Sequence, residues 1–245
     1  MIRVALAQYQ PAPSPGANLN LVGQIVERVG QEEIDIVCFG RDFLGFGAAD
    51  FEGALGRLRE LAADGNVEMV TGRVGLPDGS LCQTVLIGRD GAIVDSVPDG
   101  EVKTIRTQLG PTLVLSEAQA YSNKADELAV ELRPKAMIMQ ANAISLLELE
   151  AIKELAVARS FSQAHLVLCV SAVGRLGDEN ALGASLAVLQ GQILAEAETG
   201  VSELLIFSVD PARFIDYDEL RDHVTIPELL KQKYSPQIHH DSDTP

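Results

Sequence analysis

Basic residues are scarce in this chain of 245: 19 Lys and Arg stand against 35 Asp and Glu, for a formal net charge of −16 and a pI near 4.6. Nucleic acid or an anionic membrane would need a basic patch, so neither is expected as a partner. Cysteine is nearly absent. Cys38, Cys82 and Cys169 each sit in apolar, strand-like context without paired spacing, which argues against a disulfide framework or a zinc site and fits a reducing cytoplasm. Four histidines make no ligand cluster: His165 lies at a helix-to-strand junction, His223 on a terminal helix and His239-His240 in a polar tail. No metal or other cofactor is therefore expected. No run of 18 apolar residues occurs, and MIRVALAQ is too short and too strand-like for a signal peptide, so the expectation is a soluble cytoplasmic protein.

What is present is an alternation of apolar runs and amphipathic stretches, with 47% hydrophobic residues overall. A chain of this length can bury roughly three-quarters of its unfolded surface in one domain. The run from Ile34 to Phe39, interrupted by Asp35 and ended by Gly40, reads as a strand buried on both faces. The polar pair Arg41-Asp42 then emerges at its carboxyl end, where open α/β sheets place their chemistry. Ile2 to Gln8 reads as a first strand, Pro11 to Gly16 as an extended loop, and Leu19 to Val29 as a helix capped by Asn18, which completes a β-α-β unit. A helix over 51–63 and a strand over 68–74 continue the alternation. Two strands joined by Arg89-Asp90-Gly91 then form a hairpin and make the sheet mixed. Strands are further expected over 102–105, 111–115, 136–140, 166–170 and 203–210, a hairpin over 184–198 turning at Gln190-Gly191, and helices over 123–132, 219–224 and 227–233. Gly45-Phe46-Gly47 lacks the third glycine of a dinucleotide loop and reads as a plain loop.

The segment Ile144 to Ala164, with Ser145 as a candidate cap, carries two apolar stripes. One is Ile144, Leu147, Ala151, Leu155 and Ala158; the other is Leu146, Leu149, Ile152 and Ala156. A helix on the outside of an α/β sandwich needs one such stripe, so the second points either to a subunit interface, which Glu at Leu149 and Ile152 should dissolve, or to a neighbouring helix. No linker divides the chain. The expectation is one α/β domain over 1–233, two mixed sheets faced by helices, with a mobile tail over 234–245.

VALAQ followed by Asn18-Leu19, AVARSFSQAHLVLCVSAVG (156–174, around Arg159) and GASLAVLQGQILAEA (183–197, with Gly183, Ser185 and Gly191) together give the chain an end-to-end resemblance to the nitrilase, or carbon-nitrogen hydrolase, superfamily. The resemblance implies a four-layer α-β-β-α sandwich that pairs with a second copy. It also implies C–N bond hydrolysis by a Cys nucleophile, a Glu general base and a Lys that stabilises the oxyanion. Such chemistry needs a thiolate because amides are poor electrophiles.

Residue by residue, these roles are missing. An ungapped match puts Gly40-Arg41 where the family has Pro-Glu, and an arginine cannot accept a proton at neutral pH. The lysine falls on Lys103, with only twelve residues between it and Ser116, so the family's intervening loop is absent. The nucleophile position at the end of PTLVL holds Ser116, followed by Glu117, and a serine without a strong base is close to inert. The first expectation is thus a degenerate member with Arg41, Lys103 and Ser116 at the former catalytic positions, serving as a binding, regulatory or scaffold subunit. It would be a dimer through the 144–164 helix, or would hold a small anionic ligand over Arg41. The alternative is an amidase-type hydrolase using Ser116 or Glu117 with Asp42 and Lys103, which requires these side chains to converge in one pocket.

Overall fold

The computed structural model describes residues 1–45, 51–75 and 82–214, without the side chains of Phe51, Cys82, Glu117 and Arg213. Met1–Pro211 group as one compact unit and Ala212–Pro245 as another. The helices expected over 219–233, the tail over 234–245 and most of the glycine loop (46–50) lie outside the described residues.

The chain opens with β1 (Ile2–Gln8), α1 (Pro15–Gln31) and β2 (Ile36–Phe39), in which β1 and β2 pair in parallel. Asn18 is not the cap of α1. Ser14 is: its hydroxyl accepts from the Ala17 amide, and Pro15 starts the helix where a missing N–H costs nothing. Asn18, fully buried one turn inside, instead donates to the Ala12 and Leu44 carbonyls and accepts from the Ala12 amide, tying the loop after β1 to the turn after β2. Next come α2 (Phe51–Asp64), β3 (Glu68–Gly75), β4 (Cys82–Ile87) and β5 (Ile93–Pro98), the last two a hairpin whose turn holds Gly91 at φ +76°. Then follow β6 (Lys103–Thr107), β7 (Gly110–Ser116), α3 (Glu117–Ala120), α4 (Asn123–Leu132), β8 (Ala136–Gln140), α5 (Leu146–Ser162) and β9 (Leu166–Val170). The hairpin β10 (Val173–Leu176) and β11 (Glu179–Leu182) has no counterpart in the sequence reading. Its strands are four residues each and largely polar, too short for an alternation to register. β12 (Leu186–Leu189), β13 (Gln192–Glu196) and β14 (Glu203–Val209) close the series.

Two six-stranded mixed sheets result, in the orders β14-β1-β2-β3-β4-β5 and β13-β12-β9-β8-β7-β6. In the first, β1, β2 and β3 run parallel; in the second, β7, β8 and β9 do. Strand alternation assigns each buried strand to two cores. Val37 and Phe39 of β2 face outward into a cluster with Val22, Val26 and Val29 of α1 and Leu58 and Ala62 of α2. Met137 and Met139 of β8 do the same with Ala125 of α4 and Leu149, Ile152 and Ala156 of α5. The intervening residues, Ile36 and Cys38 among them, are fully buried on the opposite face. Hence the strands read as unbroken apolar runs, and the layers are helix, sheet, sheet, helix.

Helix α5 corrects one expectation. Ser145 caps it as foreseen, accepting from the Glu148 amide at 3.2 Å while the Glu148 carboxylate accepts from the Ile144 amide at 2.8 Å. Leu149 and Ile152, however, are core residues rather than a free face. The uncovered stripe is the other one: Leu147 is 81% exposed, with Ile144, Ala151 and Ala158 exposed alongside it, and Leu146 and Phe161 widen the apolar area.

Candidate functional site

The carboxyl end of β2 is shaped by close backbone approach. The Arg73 amide donates to the Arg41 carbonyl at 2.6 Å, and a Cβ on Gly72 would lie 1.9 Å from the Gly40 carbonyl oxygen. Only glycine admits that contact. The turn is further held by Phe43 N to Gly40 O (3.2 Å) and by the Tyr9 hydroxyl, which donates to the Phe43 carbonyl at 2.5 Å. Burial pushes that phenol's pKa well above its usual value, so it stays a donor.

Arg41 and Asp42 leave this turn in different directions. Asp42 is buried and takes Arg73 Nη2 on one oxygen (3.2 Å) and Asn142 Nδ2 on the other (3.2 Å). Asn142 is itself committed, its Oδ1 accepting from the Ala172 amide and the Ser171 hydroxyl. Arg41 Nη2 approaches Asp99 Oδ2 at 3.4 Å, and Arg73 Nη1 reaches the same oxygen at 3.7 Å. The chain of charges Arg41, Asp99, Arg73, Asp42 thus closes over a cavity of about 10 Å³, lined also by Thr84, Val97, Pro98, Glu101, Val114, Ser116 and Gln140. That is room for about one water molecule.

Of the positions singled out in the sequence, Arg41 and Ser116 line this cavity. Asp42 and Lys103 do not. Lys103 lies on β6, where Nζ pairs with Asp95 Oδ1 and donates to the Ser96 carbonyl on β5. Ser116 ends β7 and its hydroxyl donates to Gln119 Oε1. Ser116, Asp42 and Lys103 therefore have three separate sets of partners; the side chain of Glu117 lies outside the described residues. Cys38 and Cys169 are buried, and burial raises both thiol pKa values, that of Cys169 to about 12 despite the opposing pull of Arg159. Neither is a nucleophile at neutral pH. Among the described residues no group of three His, Cys, Asp or Glu is placed to hold a metal ion, and no helix is long and apolar enough to cross a membrane.

Several site residues escaped the sequence reading. Gln140, buried at the end of β8, donates to the Phe39 (2.9 Å) and Thr71 (2.7 Å) carbonyls and accepts from the Thr84 hydroxyl (2.8 Å), so one amide joins the two sheets beneath the cavity. A glutamine closing the apolar run AMIM was a usable signal. Arg73, Asp99 and Asn142 had none, being ordinary loop and strand polar residues until folding gathers them. Arg159, in the stretch that carried the family resemblance, is 2% exposed. It pairs with Asp126 of α4 (2.7–2.8 Å) and donates to the Ala120 carbonyl at the end of α3 (2.6 Å), fixing the short helix that follows Ser116.

Comparison with family models and with curated proteins finds no match. Solved structures do match. Nit3 of Saccharomyces cerevisiae, a member of branch 10 of the nitrilase superfamily, aligns over 92% of this chain and 94% of its own at TM-score 0.78 and 21% identity. A carbon-nitrogen hydrolase from Helicobacter pylori G27 aligns over 94% and 98% at 0.78 and 15% identity. An amidase from Nesterenkonia sp. AN1, seen with the acetamide moiety of fluoroacetamide added covalently at its active-site cysteine, aligns over 91% and 97% at 0.76 and 17% identity. With two six-stranded mixed sheets between helical layers and end-to-end superposition on these proteins, the chain has the fold of the nitrilase superfamily.

Proposed function

We propose that this protein keeps the nitrilase fold without its C–N bond hydrolysis, and serves in the cytoplasm as a non-catalytic binding and assembly subunit. The observation that carries this reading is the Arg41 guanidinium, paired with Asp99 at the position the family resemblance assigns to the general base. A guanidinium accepts no proton. Among the described residues the Ser116 hydroxyl beside it is partnered by an amide oxygen, Lys103 is turned to Asp95, and the cavity would not admit even a small amide. Purified protein incubated with acetamide and similar simple amides should release no ammonia above the buffer rate, and Ser116→Cys should not change this. Turnover by the wild type that disappears in Ser116→Ala would overturn the reading.

Assembly falls to the uncovered stripe of α5. Exposed Leu147, with Ile144, Ala151 and Ala158 on the same stripe, suits a second copy packed helix against helix, an isologous contact in which each helix covers the other. Leu147→Glu should convert a dimer to a monomer in sedimentation-velocity runs without loss of melting temperature. An unchanged sedimentation coefficient would remove α5 from the interface.

A further inference from the structure

We propose that the groove between α1 and β14 binds an amphipathic carboxylate, its alkyl body lying against Leu21, Ile25 and Leu204 and its head on the Arg28 guanidinium. The groove measures about 430 Å³, within the range of about 300–1,000 Å³ typical of small-molecule sites. It shares no lining residue with the cavity at the end of β2, so its occupancy does not depend on whether that cavity is catalytic.

The groove arises at a sheet edge. β14 is the terminal strand of its sheet and is bonded to β1 alone. Helices α1 and α2 pack on β1, β2 and β3 in one core cluster, but Leu21 and Ile25 on the flank of α1 and Leu204 of β14 are only partly buried against it. These three are the apolar walls, and Ala7 of β1, paired with Leu204, lies between them. An apolar body laid there removes water from side chains that the fold leaves half covered.

Strand alternation decides the charge of the groove. Ala7 and Leu204 face α1, so their neighbours Gln8 and Glu203 face the other sheet. Their bonds agree: Gln8 donates to the Glu198 and Val201 carbonyls and accepts from the Ser185 amide, and the Glu203 carboxylate accepts from the Glu198 amide at 3.0 Å. Arg28 is therefore the one charged side chain that the lining turns to the groove. Among the described residues its guanidinium makes no hydrogen bond or ion pair. Leu21, Ile25 and Arg28 succeed one another on a single face of α1, so the apolar wall ends at a cation. Seven helical residues rise about 10 Å, the length of an extended chain of roughly eight carbons. A carboxylate takes the guanidinium fork with two parallel bonds, whereas a neutral amphiphile leaves it without a counter-charge and an ammonium is repelled.

The test titrates the full chain with butanoate, hexanoate and octanoate, all below micelle formation, and follows the amide chemical shifts of Gln24, Arg28, Ser202 and Leu204. Each added methylene should tighten binding about two- to fourfold, the open side of the groove keeping the gain below that of full burial. Octanol should bind about tenfold more weakly than octanoate, and Arg28→Gln should weaken octanoate about tenfold while leaving octanol binding and the melting temperature unchanged. Leu204→Glu, which sets a carboxylate against that of the ligand, is the second variant and should abolish the shifts. No dependence on chain length, shifts that fall outside the groove, or shifts that survive Leu204→Glu overturn the site. Octanol binding as tightly as octanoate, or octanoate binding that Arg28→Gln leaves unchanged, overturns the assignment of the ligand as an anion.

Discussion

The two ends of the strands are closed by ion pairs of different construction. At the amino end Asp35, just before β2, accepts from the Arg3 amide at 2.8 Å and pairs with Arg89. Gln108 of the β6–β7 connection donates its side-chain amide to the Asp35 carbonyl and its backbone amide to Glu68 (3.1 and 3.0 Å), and accepts from Arg89. Each charge there satisfies a backbone group, and the cluster staples one sheet to the other. At the carboxyl end Asp99 meets the guanidiniums of Arg41 and Arg73, and Arg73 also meets Asp42, side chain to side chain around a cavity. A charge that completes the backbone's hydrogen bonding cannot be removed without orphaning an amide or carbonyl. A charge that meets another side chain can be removed without orphaning the backbone.

Removal of Asp35 should break the comparison most visibly. Asp35→Ala is expected to cost about 2–3 kcal/mol, because it strips a charged acceptor from a backbone amide and removes the carboxylate that Arg89 pairs with. For a protein of this size that lowers Tm by roughly 4–12 °C in a thermal melt. Arg73→Ala, at the other end, should cost about 1–3 kcal/mol through the buried Asp42 carboxylate it abandons. An equal or larger loss than for Asp35→Ala would erase the distinction.

Acidity sharpens the contrast within the amino end. Burial pushes the Asp35 pKa up, but the Arg3 amide and the Arg89 guanidinium more than offset it and hold the carboxyl below its ordinary value. Its stabilisation is therefore complete above the unfolded pKa and is lost as pH falls through the lowered folded value. Glu68 has the opposite sign: burial raises its pKa despite the Gln108 amide and Arg89. Its ionisation opposes folding once pH rises above the folded value, so Glu68→Gln should raise Tm slightly at pH 7, with the gain gone near pH 4. A gain that persists at pH 4 would show that titration is not its source. The smallest effect belongs to Asp99→Ala, whose partly exposed pairs are worth about 0–1 kcal/mol. A Tm change beyond 3 °C would mean that the turn contributes more to the fold than partly exposed ion pairs do.

Legibility in the sequence followed the range of the interaction. The β2 run, the Gly91 turn and the Ser145 cap were readable because neighbours within a few residues decide them. The capping of α1 was misread because Ser14 and Asn18 are both good caps, and the choice fell to Asn18's contacts with Leu44, 26 residues away. On α5 both stripes were visible, but which one meets the second sheet was not. That Arg41 and Ser116 lie at strand ends could be inferred from the pattern; that Lys103 turns toward Asp95 could not.

Hydrophobic periodicity, glycine and capping chemistry were enough, from the sequence alone, to specify alternating strands and helices and double-sided burial of the central strands. Tertiary structure alone decided which charges meet. Arg73 and Asp99 come from strand and turn positions with no local preference for each other, and an ion pair's partners are set by where the backbone delivers them in space, which no periodicity encodes.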